Sequence, residues 1–152
     1  MTDAARVPIV GVVGCGTTGG RVVAHLVSHQ VQVAVYDPRQ GLGVRRHGVV
    51  VVDSADDLAV CDLVVLCQPA PHHGLVARLV AEGTHVVSIA DDLDDVRELL
   101  ALDGAARASG AGVVVGAGMA PGLSGLLARN LAEQLHQLDE LHIALHGTAG
   151  PD

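Results

Sequence analysis

The 152-residue chain contains no Phe, no Trp and no Lys, and Tyr36 is its single aromatic residue. Without aromatic rings there is no stacking platform for single-stranded nucleic acid. All nine basic residues are Arg; they stand against seventeen Asp and Glu, for a net charge of −8. That balance argues against a nucleic-acid partner and against an anionic membrane surface, since both require a basic face to displace counterions. Three cysteines, Cys15, Cys61 and Cys67, cannot all pair and lack metal-type spacing. They fit a reduced, cytoplasmic setting. The opening residues MTDAARVP give no expectation of a signal peptide, having Asp3 and no long apolar core after the Arg. The longest stretch free of Asp, Glu, Arg and His is residues 108–128, 21 in all, but six glycines and Pro121 divide it into strand, loop and helix start.

What the chain does have is apolar residues, 49% of it, enough for a sizeable core in one domain. They fall in short Val- and Ile-rich runs separated by amphipathic stretches. Strands are expected at 8–13, 31–36, 49–52, 63–67, 85–89 and 113–115, and a further one at 141–145. Helices are expected at 17–28, 71–81, 93–108 (with a weak point at Gly104) and 121–138. In the last of these Leu123, Leu126, Leu127, Leu131 and Leu135 share one side. Ser54 to Asp57 reads as a capping box opening a short helix. Uncharged strands alternating with helices predict an α/β fold with a doubly wound parallel sheet.

The strongest local signal is Gly14-Cys15-Gly16-Thr17-Thr18-Gly19, which fits G-x-G-x-x-G and lies between an expected strand and an expected helix. Gly14 allows a tight turn, Gly16 lets backbone approach a pyrophosphate, and Gly19 lets the helix pack close to the strand. Asp37 ends the next strand, 23 residues after Gly14. A Rossmann-type NAD(P)-binding domain places there the carboxylate that bonds the adenosine ribose. The carboxylate repels a 2′-phosphate, which favours NAD. Arg39, Arg45 and Arg46 follow it and could instead pair with that phosphate, so NADP stays open.

These motifs resemble the N-terminal dinucleotide-binding domain of saccharopine dehydrogenase-like oxidoreductases, which overlaps homoserine dehydrogenase-type domains. The resemblance rests on residues 10–19, on 61–71 with the helix and Gly83-Thr-His-Val-Val87 after it, and on Gly116-Ala-Gly-Met-Ala-Pro-Gly-Leu-Ser124. The chain departs from the family in having Met119 where an acid is commoner, and Gln68 after the fourth strand. The resemblance implies hydride transfer between NAD or NADP and an amino-acid-type substrate, with Gln68 and Pro69 near the nicotinamide ribose. It also implies a dinucleotide-binding domain at 1–138, and at 139–152 the start of a second, truncated domain for substrate and dimerisation. A non-catalytic nucleotide-sensing module is the alternative.

Other residues invite weaker readings. His72 and His73 could serve proton transfer, but read better as polar residues in the first turn of an exposed helix. His25 and His29 have the spacing of a metal pair without an evident third ligand. Asp91, Asp92, Asp94 and Asp95 suit a helix start. No metal site is expected. The 116–124 segment is either a loop over the nicotinamide end or a plain connector.

Overall fold

The computed structural model describes residues 7–39 and 48–146. Six strands form one sheet: β1 (Ile9–Val13), β2 (Gln32–Tyr36), β3 (Val49–Val51), β4 (Leu63–Leu66), β5 (His85–Ser88) and β6 (Val113–Val114). Their order is β3-β2-β1-β4-β5-β6 and every pairing is parallel. This is the doubly wound α/β arrangement expected from the sequence. Successive strands are added on one side of β1 up to β3 and then on the other from β4, so the carboxyl ends of β1 and β4 flank the crevice where such folds bind ligands.

Side chains alternate across the sheet and build two core layers. One layer gathers Val13, Leu58, Val64, Leu66 and Val86 with Val76, Leu79 and Val80 of α2 (His73–Ala81), Leu99 of α3 (Leu93–Leu100) and Ala106 of α4 (Asp103–Ser109). The other layer is smaller: Val12, Cys15, Val33 and Val35 meet Val23 of α1 (Thr17–Ser28). Ser54 caps a 3₁₀ helix at Ala55–Val60 through the anticipated box, its side chain accepting from the Asp56 N–H while Asp57 accepts from the Ser54 N–H.

Four expectations are corrected. The 93–108 helix is two helices, broken at Ala101 and Leu102 rather than at Gly104, where the Leu102 N–H tightens onto the Leu99 carbonyl. The second helix begins at His73 rather than Pro71. The last helix, α5, runs only from Leu123 to Ala132. Pro121 stands outside it because Gly122, at φ +125°, interrupts helical backbone before Leu123. Residues 141–145 form no strand; they are exposed and no neighbouring strand offers them a ladder.

The leucine stripe of α5 is present, but Leu123, Leu126, Leu127 and Leu131 are 45–67% exposed rather than packed in the core. Among the described residues no helix is long and apolar enough to cross a membrane.

Candidate functional site

The chain leaves β1 through Gly14, whose φ of +82° is one that residues with a Cβ rarely adopt. Its N–H donates to the Tyr36 carbonyl at 2.8 Å, tying the turn to the end of β2. A Cβ on Gly14 would lie 2.9 Å from the backbone nitrogen of Gln68, so the turn rests directly on the loop after β4. A Cβ on Gly19 would fall on the Gly14 carbonyl oxygen. The fold itself therefore demands glycine at 14 and at 19.

Gly16 is different. Its φ of −71° is open to any residue. Among the described residues outside its chain neighbours, the one atom within 4 Å of its Cβ position is a terminal nitrogen of Arg39, at 3.2 Å. That atom ends a flexible, 69% exposed side chain and would move aside easily. Packing among the described residues does not explain the glycine, which leaves open space at the start of α1. Gly16 is the N-cap of α1 and brings no capping side chain, and no acid stands in the first turn. Thr17 and Thr18 are exposed. A helix start whose first turn holds no acid and whose N-cap brings no side-chain cap suits an anion.

Asp37 closes one side of this space. Its side chain is 7% exposed. Oδ2 accepts the Cys15 N–H at 2.6 Å, and Oδ1 accepts the Arg39 N–H at 2.9 Å with the Arg39 guanidinium 3.6 Å away. The carboxylate thus organises the glycine loop by a charge-assisted bond and retains a second lone pair on each oxygen. The spacing that marked Asp37 as a ribose reader gave no sign of this bond to Cys15. The Cys15 side chain is buried in the smaller core layer, so it is the backbone of Cys15 that serves the loop. Burial, and then the neighbouring Cys15, push the Cys67 thiol up to about 11, which leaves it un-ionised near neutral pH. Arg45 and Arg46 lie outside the described residues.

The other side is closed by the loop after β4. Gln68 is half-buried and Pro69 exposed. The reading of His72 and His73 as a polar pair on an exposed helix fails for His72, which is fully buried. Its Nε2 lies 2.9 Å from the Gln68 carbonyl and its Nδ1 2.8 Å from Ser88 Oγ. Asp95, grouped by sequence with an exposed acidic helix start, is 4% exposed. Its Oδ1 accepts the N–H groups of His72 and His73 at 2.8 and 3.0 Å and so caps α2 from another helix. Burial opposes ionisation of Asp95, but those two N–H groups and the His73 ring outweigh it and hold its carboxyl below the usual range. Asp92 is the true N-cap of α3, accepting from the Asp94 and Asp95 N–H groups.

Two histidine groups have the spacing or proximity of metal ligands. The His29 Nδ1 is engaged with the His25 carbonyl at 2.9 Å, and no third ligand joins that pair among the described residues. His73, Asp95 and Glu98 bring ligand atoms within 4.8 Å of one another. Their contacts, 3.1 Å from His73 Nδ1 to Asp95 and 2.6 Å to Glu98, are those of a histidine hydrogen-bonded to carboxylates. Gly116 and Gly122 have a local explanation. A Cβ on Gly116 would lie 2.9 Å from Pro121, and one on Gly122 would fall on the Gly118 carbonyl. The 116–122 segment is therefore packed on itself.

No family model matches the chain, and no curated protein matches it. Solved structures do. The WlbA dehydrogenase from Bordetella pertussis, in complex with NADH and UDP-GlcNAcA, is 21% identical over 85% of this chain and 42% of its own, with a TM-score of 0.64. Mycobacterium tuberculosis 3-hydroxyisobutyrate dehydrogenase with L-serine is 26% identical over 72% and 40%, with a TM-score of 0.57. Homoserine dehydrogenase of S. aureus is 15% identical over 71% and 32%, with a TM-score of 0.58. The chain thus spans less than half the length of these structures, and the fold is that of their Rossmann portions.

The contrast among the glycines is testable. Gly19→Ala should fail to fold. Gly16→Val should fold, losing no more than about 1 kcal/mol in chemical denaturation, yet lose NADH binding by calorimetry. Retained affinity in folded Gly16→Val would remove Gly16 from the site. A second expectation concerns acid. The pKa of Asp95 is depressed by folding, so its stabilisation is full above the unfolded carboxyl value near 3.8 and is lost as pH falls through the lower folded value. Asp95→Ala should cost about 1–3 kcal/mol at pH 7, and the loss should shrink below pH ~4 in acid unfolding curves.

Proposed function

We propose that this chain is the dinucleotide-binding unit of an NAD(P)-dependent, saccharopine dehydrogenase-like oxidoreductase acting on an amino-acid-type substrate. The observation that carries the reading is Gly16: a glycine the fold does not need, at an open helix start between Asp37 and Gln68. Three solved dehydrogenases sharing the fold support it, one of them holding NADH. In this reading the residues 14–19 receive the pyrophosphate at the start of α1. The free lone pairs of Asp37 take the adenosine ribose hydroxyls, with Arg39 beside them. Gln68 and Pro69 meet the nicotinamide side. The cofactor when bound supplies the hydride chemistry; the chain binds and orients it.

NAD is favoured over NADP, because the buried Asp37 carboxylate would repel a 2′-phosphate more than the exposed Arg39 would attract it. Substrate would be held by a second domain, for which the exposed leucine face of α5 offers a docking surface. A nucleotide-sensing module is the second reading. It is favoured by the state of the two nearby imidazoles: both His72 nitrogens are engaged, and His73 is paired with Asp95 and Glu98. Nicotinamide absorbance with a panel of amino and hydroxy acids separates the two.

Asp37→Ala should weaken NAD by about 1–3 kcal/mol and NADP by less, or tighten NADP, as read by calorimetry. Equal losses for both would assign Asp37 to holding the Cys15 N–H alone.

A further inference from the structure

The imidazole of His72 sits at the start of a helix, next to a loop at the open edge of the sheet, and yet is fully buried. Both of its nitrogens have partners. The Gln68 carbonyl can only accept, so Nε2 carries the hydrogen of that 2.9 Å bond. Ser88 Oγ accepts the Ala90 N–H at 3.2 Å and pairs with Nδ1 across 2.8 Å. Every polar atom of the ring is thereby engaged. The His72 N–H is held in turn by Asp95 Oδ1. The ring therefore braces the 68–71 loop from the end of β5, four residues beyond the carbonyl it grips.

That carbonyl belongs to the residue on which the Gly14 turn rests. The strand order places β2, with Asp37 after it, on one side of β1, and β4, followed by Gln68, on the other. A dinucleotide crossing the glycine loop with its adenosine toward Asp37 therefore lays its other half along 68–71. We propose that His72 is a positioning residue for the nicotinamide half of the cofactor. It would act by holding the Gln68 backbone rather than by touching the ligand. This rests on the dinucleotide reading above and goes beyond it by assigning the two halves of the cofactor to separately supported walls.

A histidine that merely filled the core would, when replaced, loosen both halves together. The test compares NADH with ADP, which reaches Asp37 and the glycine loop but has no nicotinamide half. In His72→Leu, NADH should weaken about tenfold while ADP stays within about twofold, the change expected of one or two lost hydrogen bonds confined to one wall. His72→Gln, with an amide donor and acceptor, should recover most of the NADH affinity. If His72→Leu does not fold, Ser88→Ala removes only the Nδ1 partner and should show the same selective loss, about threefold. Equal weakening of NADH and ADP, or unchanged NADH affinity in a folded variant, overturns the proposal and leaves the dinucleotide reading standing. Failure of the wild-type chain to bind either ligand overturns both.

Discussion

Three elements converge on one backbone turn. The Gly14 N–H is taken by the end of β2, its Cβ position is closed by Gln68 after β4, and its carbonyl lies where a Cβ on Gly19 of α1 would stand. Only glycine fits both ends of that contact, and a shift of the turn would disturb two strand connections and a helix together. The crowding holds the start of α1 in a fixed place at the carboxyl edge of the sheet. Everything attributed to the site depends on that placement: the Asp37 bond to Cys15, the Arg39 side chain over Gly16, and the β4 loop braced by His72.

Within the 14–19 turn Gly16 is not crowded as Gly14 and Gly19 are, and it stands at the start of α1. The glycines at 14, 19, 116 and 122 each answer to an atom of the chain itself. Gly16 answers only to the tip of an exposed arginine. A helix N-terminus alone is a weak sign of a ligand, but here it is bordered by a carboxylate that also accepts from the loop, and by a second loop held in register from β5. The two borders lie on opposite sides of β1, which suits an extended ligand with two unlike ends.

The inner strands β1, β2 and β4 are legible because they are largely buried, and uncharged Val-rich runs of four or five residues have few other homes; the edge strands β3 and β6 are partly exposed. The turn between β1 and α1 and the place of Asp37 just after β2 are legible because they are local to one strand–helix–strand unit. What escaped were contacts made across the fold. Asp95 looks like one of four acids at a helix start, and only the packing of α3 against α2 shows that it alone is buried and caps its neighbour. His72 looks like half of an exposed pair, and only Ser88, sixteen residues on, reveals the interior it enters. The last helix failed differently. Its leucine period is real, but a period shows a face without showing what covers it, and Leu126 and Leu131 remain exposed.

In the proposed reading one dinucleotide lies across the carboxyl edge of β1, adenosine end on the β2 side and nicotinamide end on the β4 side. A titration of the folded chain with NADH, followed by backbone amide NMR, tests this. Saturable shifts are expected at Cys15, Gly16, Thr17 and Thr18, at Asp37 and Arg39, and at Gln68 and His72, with ADP reproducing only the first two groups. Shifts that gather elsewhere, at the β5–β6 edge or along α5, or no saturable shifts at all, would contradict it.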